Sequence, residues 1–355
     1  MTGKLGQPGC GIATVVEEAN EQGALDMGVV PEWLPGQVSF SDDSARSRFA
    51  KAWGEGDTPA VLPAAGQGAT LTDILDRCRT GQIKALYLVG ENPIETFPAS
   101  FNIKPALDKL ELLICQDPFM TETGKLAHFV LPACTFAEKD GTVTNQEGKV
   151  QRVRSTLDAL GESLPDWHIM TALASGLGAI WEYESAQDIQ NEIMKLLPGY
   201  YNLGQPKRVT GNPEPYLAGG YAAAVAPRYL SATNMPNPAT DKPFRLVMGQ
   251  VLYHSGKLST QASGLINLAP NSGRLHLSVE DCDRMGLKEG ALVRVTSAKG
   301  SLVLGVLPAA SLPPGSCFFP EHFNEPPVKD LMAVDIDPVT KVPTFKLAQV
   351  FVEKA

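Results

Sequence analysis

Cysteine is the residue with the widest chemical reach in this chain, and it occurs six times: Cys10, Cys78, Cys115, Cys134, Cys282 and Cys317. Zinc ribbons and ferredoxin-type clusters need thiolates a few residues apart, and no two of these lie within four residues of each other. Cys115 and Cys317 have largely apolar neighbours, and the set reads as reduced thiols that pack as small apolar side chains. A stronger claim belongs to polar residues that follow apolar runs: GENP (90–93), CQDPFMTET (115–123) and LPACTF (131–136). His128, His168 and His276 read as packing or surface histidines and are given no role.

The elements that must position these loops alternate. ALYLVG (85–90), ELLICQ (111–116) and FVLP (129–132) are short apolar runs that read as buried strands. Between them FNIKPALDKL (101–110) and TETGKLAHF (121–129) read as helices. Parallel strands need crossover connections, so the alternation predicts a parallel sheet whose ligand site lies beyond the C-terminal ends of its strands. Upstream, Asp42 and Asp43 start a helix over SARSRFAKAWG, and Thr70 caps another over LTDILDRC. The stretch from Met1 to Pro35 reads as loop. Residues 165–176 and 184–197 read as helices, and 199–243, dense in Pro, Gly and Ala, as an interdomain linker.

From Phe244 the texture changes to short strands: FRLVMG, GRLHLSV, ALVRVTSA, SLVLGVLP and SCFFPEHF, separated by turn signals at Gly290, Gly300 and Gly315. One helix, VEDCDRMGL, interrupts them; Glu280 or Asp281 starts it and Gly286 ends it. The pattern reads as a compact β-barrel.

Length and composition bound the rest. The 355 residues suggest two or three domains, and the net charge of -9 argues against a nucleic-acid binder. The longest apolar stretches, such as 302–310, fall far short of the ~20 residues that span a bilayer. Met1 to Cys10 has no apolar h-region, so it does not read as a secretory signal.

Taken together, these motifs resemble the molybdopterin oxidoreductase family. LYLVGENPIETFP and QDPFMTETGKLAHFVLPACTFAEKDGTVTNQEGKVQRVR resemble two consecutive segments of that family's third, dinucleotide-binding domain. VLYHSGKLSTQASGLINLAPNSGRLHLSVEDCDRMGLKEGALVRVTSAKGSLVLGVL and EHFNEPPVKDLMAVDIDPVTKVPTFKLAQVFVEK resemble its C-terminal barrel, and GCGIATVVEEANEQGALDMGVVPEWLPG resembles a mid-chain region. The formate dehydrogenase alpha subunit and the G subunit of NADH–quinone oxidoreductase are the similar branches.

The resemblance implies an α/β fold: a parallel-sheet dinucleotide-binding domain followed by a double-psi β-barrel domain. Its boundaries would be 1–69 for the remnant of a preceding domain, 70–200 for the α/β domain, 201–243 for the linker and 244–355 for the barrel. It also implies a molybdenum or tungsten ion held by two molybdopterin guanine dinucleotides. Gly90, Glu91, Asn92, Gln116, Asp117, Lys139, Asp140, Gly141 and Asn145 are placed near guanine, ribose or backbone approach. Thr121 and Thr123 would donate to phosphate, where TETGKL opens a helix. In the barrel, His254, Ser255, Gly256, Lys257, Ser259 and Thr260 form the loop toward a pterin, closed by His322, Asn324 and Lys346. No residue is placed as metal ligand, and no iron–sulfur cluster is expected in this chain.

Family members begin with an iron–sulfur domain, whereas this sequence starts near their midpoint. The expectation is a split-gene subunit or a truncated product, active only with a separate N-terminal iron–sulfur/molybdopterin chain. Other subunits of a redox complex are expected partners. Nucleic acid and direct membrane insertion are not. The expected place is the cytoplasm, on the inner face of the membrane through such a complex. Three departures stand out: Gly148 and Lys149 where many members have Arg-Arg, Lys257 for a Thr, and Lys329 to Met332 (KDLM) for NLLT. Arginine binds anions bidentately better than lysine. Two other readings stay open: a cofactor-free structural part of the G subunit of NADH–quinone oxidoreductase, and a stand-alone nucleotide-binding or interaction module.

Overall fold

The computed structural model describes residues 18–145, 148–197, 200, 244–254, 257–268, 273–323, 325–338 and 341–355. By their contacts the described residues of 1–74, 84–91 and 111–229 form one compact unit, and those of 75–83, 92–110 and 230–355 a second.

The first unit opens with α1 (Glu21–Asp26) and a small hairpin, β1 (Trp33–Leu34) with β2 (Val38–Ser39). The expectation of loop to residue 35 therefore fails. Its cause is a polar core: the fully buried Asp26 carboxylate accepts from Gln22 (3.0 Å), Gln37 (2.7 Å) and the Tyr200 hydroxyl (3.1 Å). An apolar-periodicity reading cannot see such a helix. α2 (Asp43–Ala52) starts where Asp42 accepts from the Ser44 and Ala45 amides, the capping geometry its sequence predicts. Its Phe49 is buried with Leu34, Val150 and Leu197.

α3 (Leu71–Arg79) is capped by Thr70, whose hydroxyl lies 3.4 Å from the Asp73 amide. β3 (Ala85–Val89) follows. Then come α4 (Pro93–Thr96), a 3-10 turn at Ala99–Phe101 and α5 (Ile103–Leu107), so the helix expected over 101–110 is much shorter. In the second unit, the Phe97 and Phe101 rings pack at 5.7 and 6.4 Å from Phe345, and the Ala99 amide donates to Asp330 at 2.7 Å.

β4 (Leu112–Asp117) pairs in parallel with β3 on one side and with β5 (Phe129–Pro132) on the other. The expected parallel sheet is present, with β4 central and buried. β3 and β5 are half-exposed, contrary to the expectation of buried strands; Phe129 is 62 % exposed. The helix expected over 121–129 is one 3-10 turn, Gly124–Leu126. It cannot continue because the His128 amide donates to the Leu113 carbonyl (2.8 Å), pulling the chain into the sheet. An antiparallel hairpin follows, β6 (Gly141–Thr144) and β7 (Val150–Val153), then α6 (Asp166–Gly176) and α7 (Ala186–Leu196), close to their expected spans.

The second unit is dominated by a closed six-stranded barrel. Its strands are β8 (Phe244–Gly249), β9 (Leu275–Ser278), β10 (Leu292–Thr296), β11 (Ser301–Ala309), β12 (Ser316–Pro320) and, after the two-residue β13 (Asp335–Ile336) and β14 (Pro343–Thr344), β15 (Leu347–Lys354). The order around the barrel is β10-β11-β9-β12-β8-β15, with parallel pairs β11/β9 and β12/β8 and the rest antiparallel. Alternate residues fill the interior: Val293 and Val295, Leu246 and Met248, Leu304 and Val306, Cys317 and Phe319. Two short helices complete it, α8 (Ser263–Leu268) and α9 (Val279–Met285). α9 is capped by Ser278 rather than by Glu280 or Asp281, and ends at Gly286 with φ +60°, a conformation that suits glycine. Among the described residues no helix is long and apolar enough to cross a membrane. The expected linker, 201–243, lies outside the described residues.

Candidate functional site

Both units carry some of their candidate residues at or just past the C-terminal ends of parallel strands. In the first, Gly90 follows β3 with φ +65°, and its amide donates to the Gln116 carbonyl at 2.8 Å. No atom lies within 4 Å of where its Cβ would stand, and the same is true of Gly141. A ligand could therefore reach the backbone at both glycines. Glu91 is exposed; Asn92 belongs to the second unit and donates to Glu95.

Gln116 is almost fully buried at the end of β4, and both ends of its amide are engaged. Its Oε1 accepts from the Tyr87 hydroxyl, and its Nε2 donates to Asp166 Oδ1 at 2.7 Å. The other oxygen of Asp166 takes the Lys139 ammonium. Asp166, in the first turn of α6, thus joins two candidate residues that lie 50 and 27 positions away. Sequence reading gave Asp166 only a place in the helix over 165–176, and Lys139 pairs with it rather than with the adjacent Glu138 or Asp140. Those two are otherwise occupied: Asp140 accepts from the Ser155 amide (2.8 Å), and Glu138 accepts from the Thr135 amide (2.7 Å) and hydroxyl. Tyr87 is the other missed member; the signal was a lone hydroxyl in an apolar strand.

Asp117 is buried next door and accepts from the Phe119 amide at 2.9 Å. Burial pushes its carboxyl above the usual range; the Phe119 amide opposes the shift and the nearby Asp166 charge adds to it. Thr121 accepts from the Gly124 amide (3.0 Å), and Thr123 is fully buried. A single 3-10 turn aligns few peptide dipoles, so the anion-favouring helix start expected at 121–126 is reduced to that turn. Asn145 holds the β6–β7 turn: its side chain accepts from the Lys149 amide (3.0 Å) and its carbonyl from the Gly148 amide (2.8 Å), with Gly148 at φ +74°. Gly148 is thus at home in the turn, where the family resemblance implied arginine. Asp140 and Gly141 also line a cleft with residues of β7, α6 and α7.

In the barrel unit the loops after β8 and β12, parallel neighbours, bring two buried histidines together. Their ring centroids are 5.6 Å apart, with Phe323 edge-on to both. His254 Nδ1 lies 3.1 Å from the Ser259 hydroxyl, and His322 Nε2 accepts from the Val251 amide at 3.2 Å. Thr260 shares the 3-10 turn Lys257–Gln261 with Ser259. The Lys346 ammonium is 3.6 Å from Glu321, and burial lowers its pKa. Ser255, Gly256, Asn324 and the side chain of Lys257 lie outside the described residues. In the first unit, amides, hydroxyls and an ammonium group with two open glycine backbones, and in the barrel unit imidazoles, a hydroxyl and an ammonium group, each suit parts of a ligand made of guanine, ribose and pyrophosphate.

Known protein families match both parts of the chain. The profile of the molybdopterin oxidoreductase family matches residues 1–176, and that of the molybdopterin dinucleotide binding domain matches 244–349, the barrel. The alpha subunit of F420-dependent formate dehydrogenase 1 from Methanococcus maripaludis is 30% identical over 100% of this chain and 54% of its own length. The alpha subunit of NADPH-Fe(3+) oxidoreductase from Geobacter sulfurreducens is 34% identical over 93% of this chain and 37% of its own length. Formate dehydrogenase H of Escherichia coli is 28% identical, covering 99% of this chain and 52% of the relative. This chain therefore spans about half, or less, of the length of these relatives. Among solved structures, acetylene hydratase from Pelobacter acetylenicus shares the fold with a TM-score of 0.59 and 17% identity, over 87% of this chain and 50% of that one. With both profiles falling in family order along one chain, the protein belongs to the molybdopterin oxidoreductase family.

Proposed function

We propose that this chain binds the distal parts of the two molybdopterin guanine dinucleotides of a molybdenum or tungsten cofactor. It would act in formate-dehydrogenase-like electron transfer with a separate iron–sulfur chain. The observation that carries the reading is the coincidence of the dinucleotide-binding profile with the closed barrel, at whose β8 and β12 ends His254 and His322 converge. The mixed parallel and antiparallel pairing suits a double-psi barrel. Residues 70–200 are the proposed α/β partner domain, with 1–69 as the end of a preceding one.

Within that reading the proposed α/β domain and the barrel domain have different tasks. In the α/β part Glu91, Asn92, Asp117 and Asn145 recognise guanine and ribose, and Gly90, Asp140 and Gly141 admit the ligand close to the backbone. Thr121 and Thr123 meet phosphate. Gln116 spends its amide on Tyr87 and Asp166, so it positions its neighbours, and Asp166 aims Lys139. In the barrel His254, Ser255, Gly256, Lys257, Ser259 and Thr260 line one side of the pterin, with His322, Asn324 and Lys346 opposite. The cofactor, when bound, supplies the two-electron redox chemistry; the protein binds and orients it and keeps water away. No residue of this chain is proposed as metal ligand. The relatives named as alpha subunits support partner subunits, and such a complex would hold the chain at the cytoplasmic face of the membrane.

The test is anaerobic purification from the native host, with metal and nucleotide analysis of what co-purifies. Molybdenum or tungsten with two released guanine nucleotides per metal, alongside an iron–sulfur chain, is expected. Recovery in a quinone-oxidoreductase complex free of metal and pterin would make the chain a scaffold and overturn the proposal.

A further inference from the structure

The first unit holds a cleft of about 370 Å³ between the end of β7 and one face of α7. Of the residues placed near the pterin dinucleotides only Asp140 and Gly141 reach it. Ile189 and Ile193, four apart on α7, give it an apolar floor, and Trp167 of α6 adds an aromatic wall. Its rim is cationic. Arg152 and Arg154, two apart at the end of β7, both line it.

Neither arginine forms an ion pair among the described residues. Arg152 Nη2 donates to Gln187 Oε1 at 2.6 Å and lies 3.5 Å from Gln190 Oε1. Both partners are neutral, so they fix the guanidinium without cancelling its charge. Arg154 has no hydrogen-bond or ion-pair partner among the described residues. Asp140, the acid in the cleft, accepts from the Ser155 amide and keeps its charge, so the lining carries two cations and one anion. Gln190 is 5% exposed, and among the described residues its side-chain amino group donates to nothing. Two guanidiniums against one carboxylate, with the Gln190 amide beside them, favour an acceptor-rich anion. The volume lies within the ~300–1,000 Å³ of small-molecule sites, far beyond one phosphate, and the flat apolar wall favours a ring.

We propose that this cleft binds a nucleotide, with its phosphates on Arg152 and Arg154 and its base against Trp167 and the isoleucine floor. The proposal does not rest on the pterin reading, because the residues that carry it are others. Calorimetric titration of the full chain with ADP and with inorganic pyrophosphate tests it. Binding of ADP is expected, weakened about tenfold or more by Arg154→Gln, and more by Arg152→Gln with Arg154→Gln. Trp167→Leu should weaken ADP while leaving pyrophosphate unchanged. Arg154 is exposed and unpartnered, so its variant keeps the fold, which a thermal melt verifies. Absence of ADP binding up to millimolar concentration, or ADP affinity indifferent to both the arginine and the Trp167 variants, would overturn the proposal.

Discussion

The barrel and the parallel sheet solve the same problem, burying apolar strands, to different degrees. Closing on itself leaves the barrel no free edge, and Leu246, Leu275, Leu277, Val293, Val295, Val306, Cys317 and Phe319 are all fully enclosed. The three-stranded sheet buries only its central strand. Val89, Phe129 and Leu86 to Leu88 remain at least partly exposed. One region derives its stability from its own interior. The other spends buried positions on polar groups: Gln116, Asp117 and Thr123.

The largest test of that contrast is truncation of one aromatic in each. Phe319→Ala empties a fully buried site in the barrel and should cost about 3–5 kcal/mol. Phe129→Ala, on a ring 62 % exposed, should cost less than about 0.5 kcal/mol. Chemical denaturation of both variants measures this; equal costs would mean that the sheet is as tightly packed as the barrel. The same enclosure pushes the Cys317 thiol up to about 12, so it should resist alkylation until the barrel unfolds.

Carboxylates give the next test. Asp281 is 1% exposed and takes the Ser278 hydroxyl (2.6 Å), the Gly315 amide (2.8 Å) and Arg284. Asp281→Ala strands those donors and should cost about 2–3 kcal/mol. Asp166 in the other unit is one-third exposed, and water can replace its carboxylate at Lys139 and Gln116, so Asp166→Ala should cost about 1 kcal/mol. A reversed order would break the comparison.

The two regions also differ in how far the sequence reveals them. Barrel strands follow the period of two; in LVRVT and FRLVMG the alternate residues are the buried ones. The parallel strands were legible as strands, because ELLICQ and FVLP are apolar and short, but their exposure was not. An apolar run says that cover is favoured, not that it is present. Polar cores escape periodicity altogether. α1 forms around Asp26, whose partners Gln37 and Tyr200 stand 11 and 174 positions away. For the site, glycines and strand-end acids were visible as motifs, whereas Asp166 and Tyr87 matter only through contacts that the fold creates.

A smaller effect is expected at the β6–β7 turn. Gly148→Arg introduces the residue that the family resemblance implied but places a side chain at φ +74°, which costs about 1–2 kcal/mol. If Gly148→Arg stabilises the chain instead, the turn has a ligand or partner for the guanidinium that outweighs the strain.

The smallest expected effect is a pH slope set by Asp117. Its carboxyl is raised above the usual value, mainly by burial, so the folded state holds a proton that the unfolded chain has released. Between the ordinary aspartate range and the raised value, its contribution to stability falls as pH rises; below that window both states are protonated, and above it both are ionised. Asp117→Asn cannot ionise and should remove this fall. Denaturation midpoints of the wild type and the variant across that window decide the matter. If the two profiles run parallel, Asp117 is solvated as an ordinary surface acid, and the sheet's polar interior is wetter than its burial indicates.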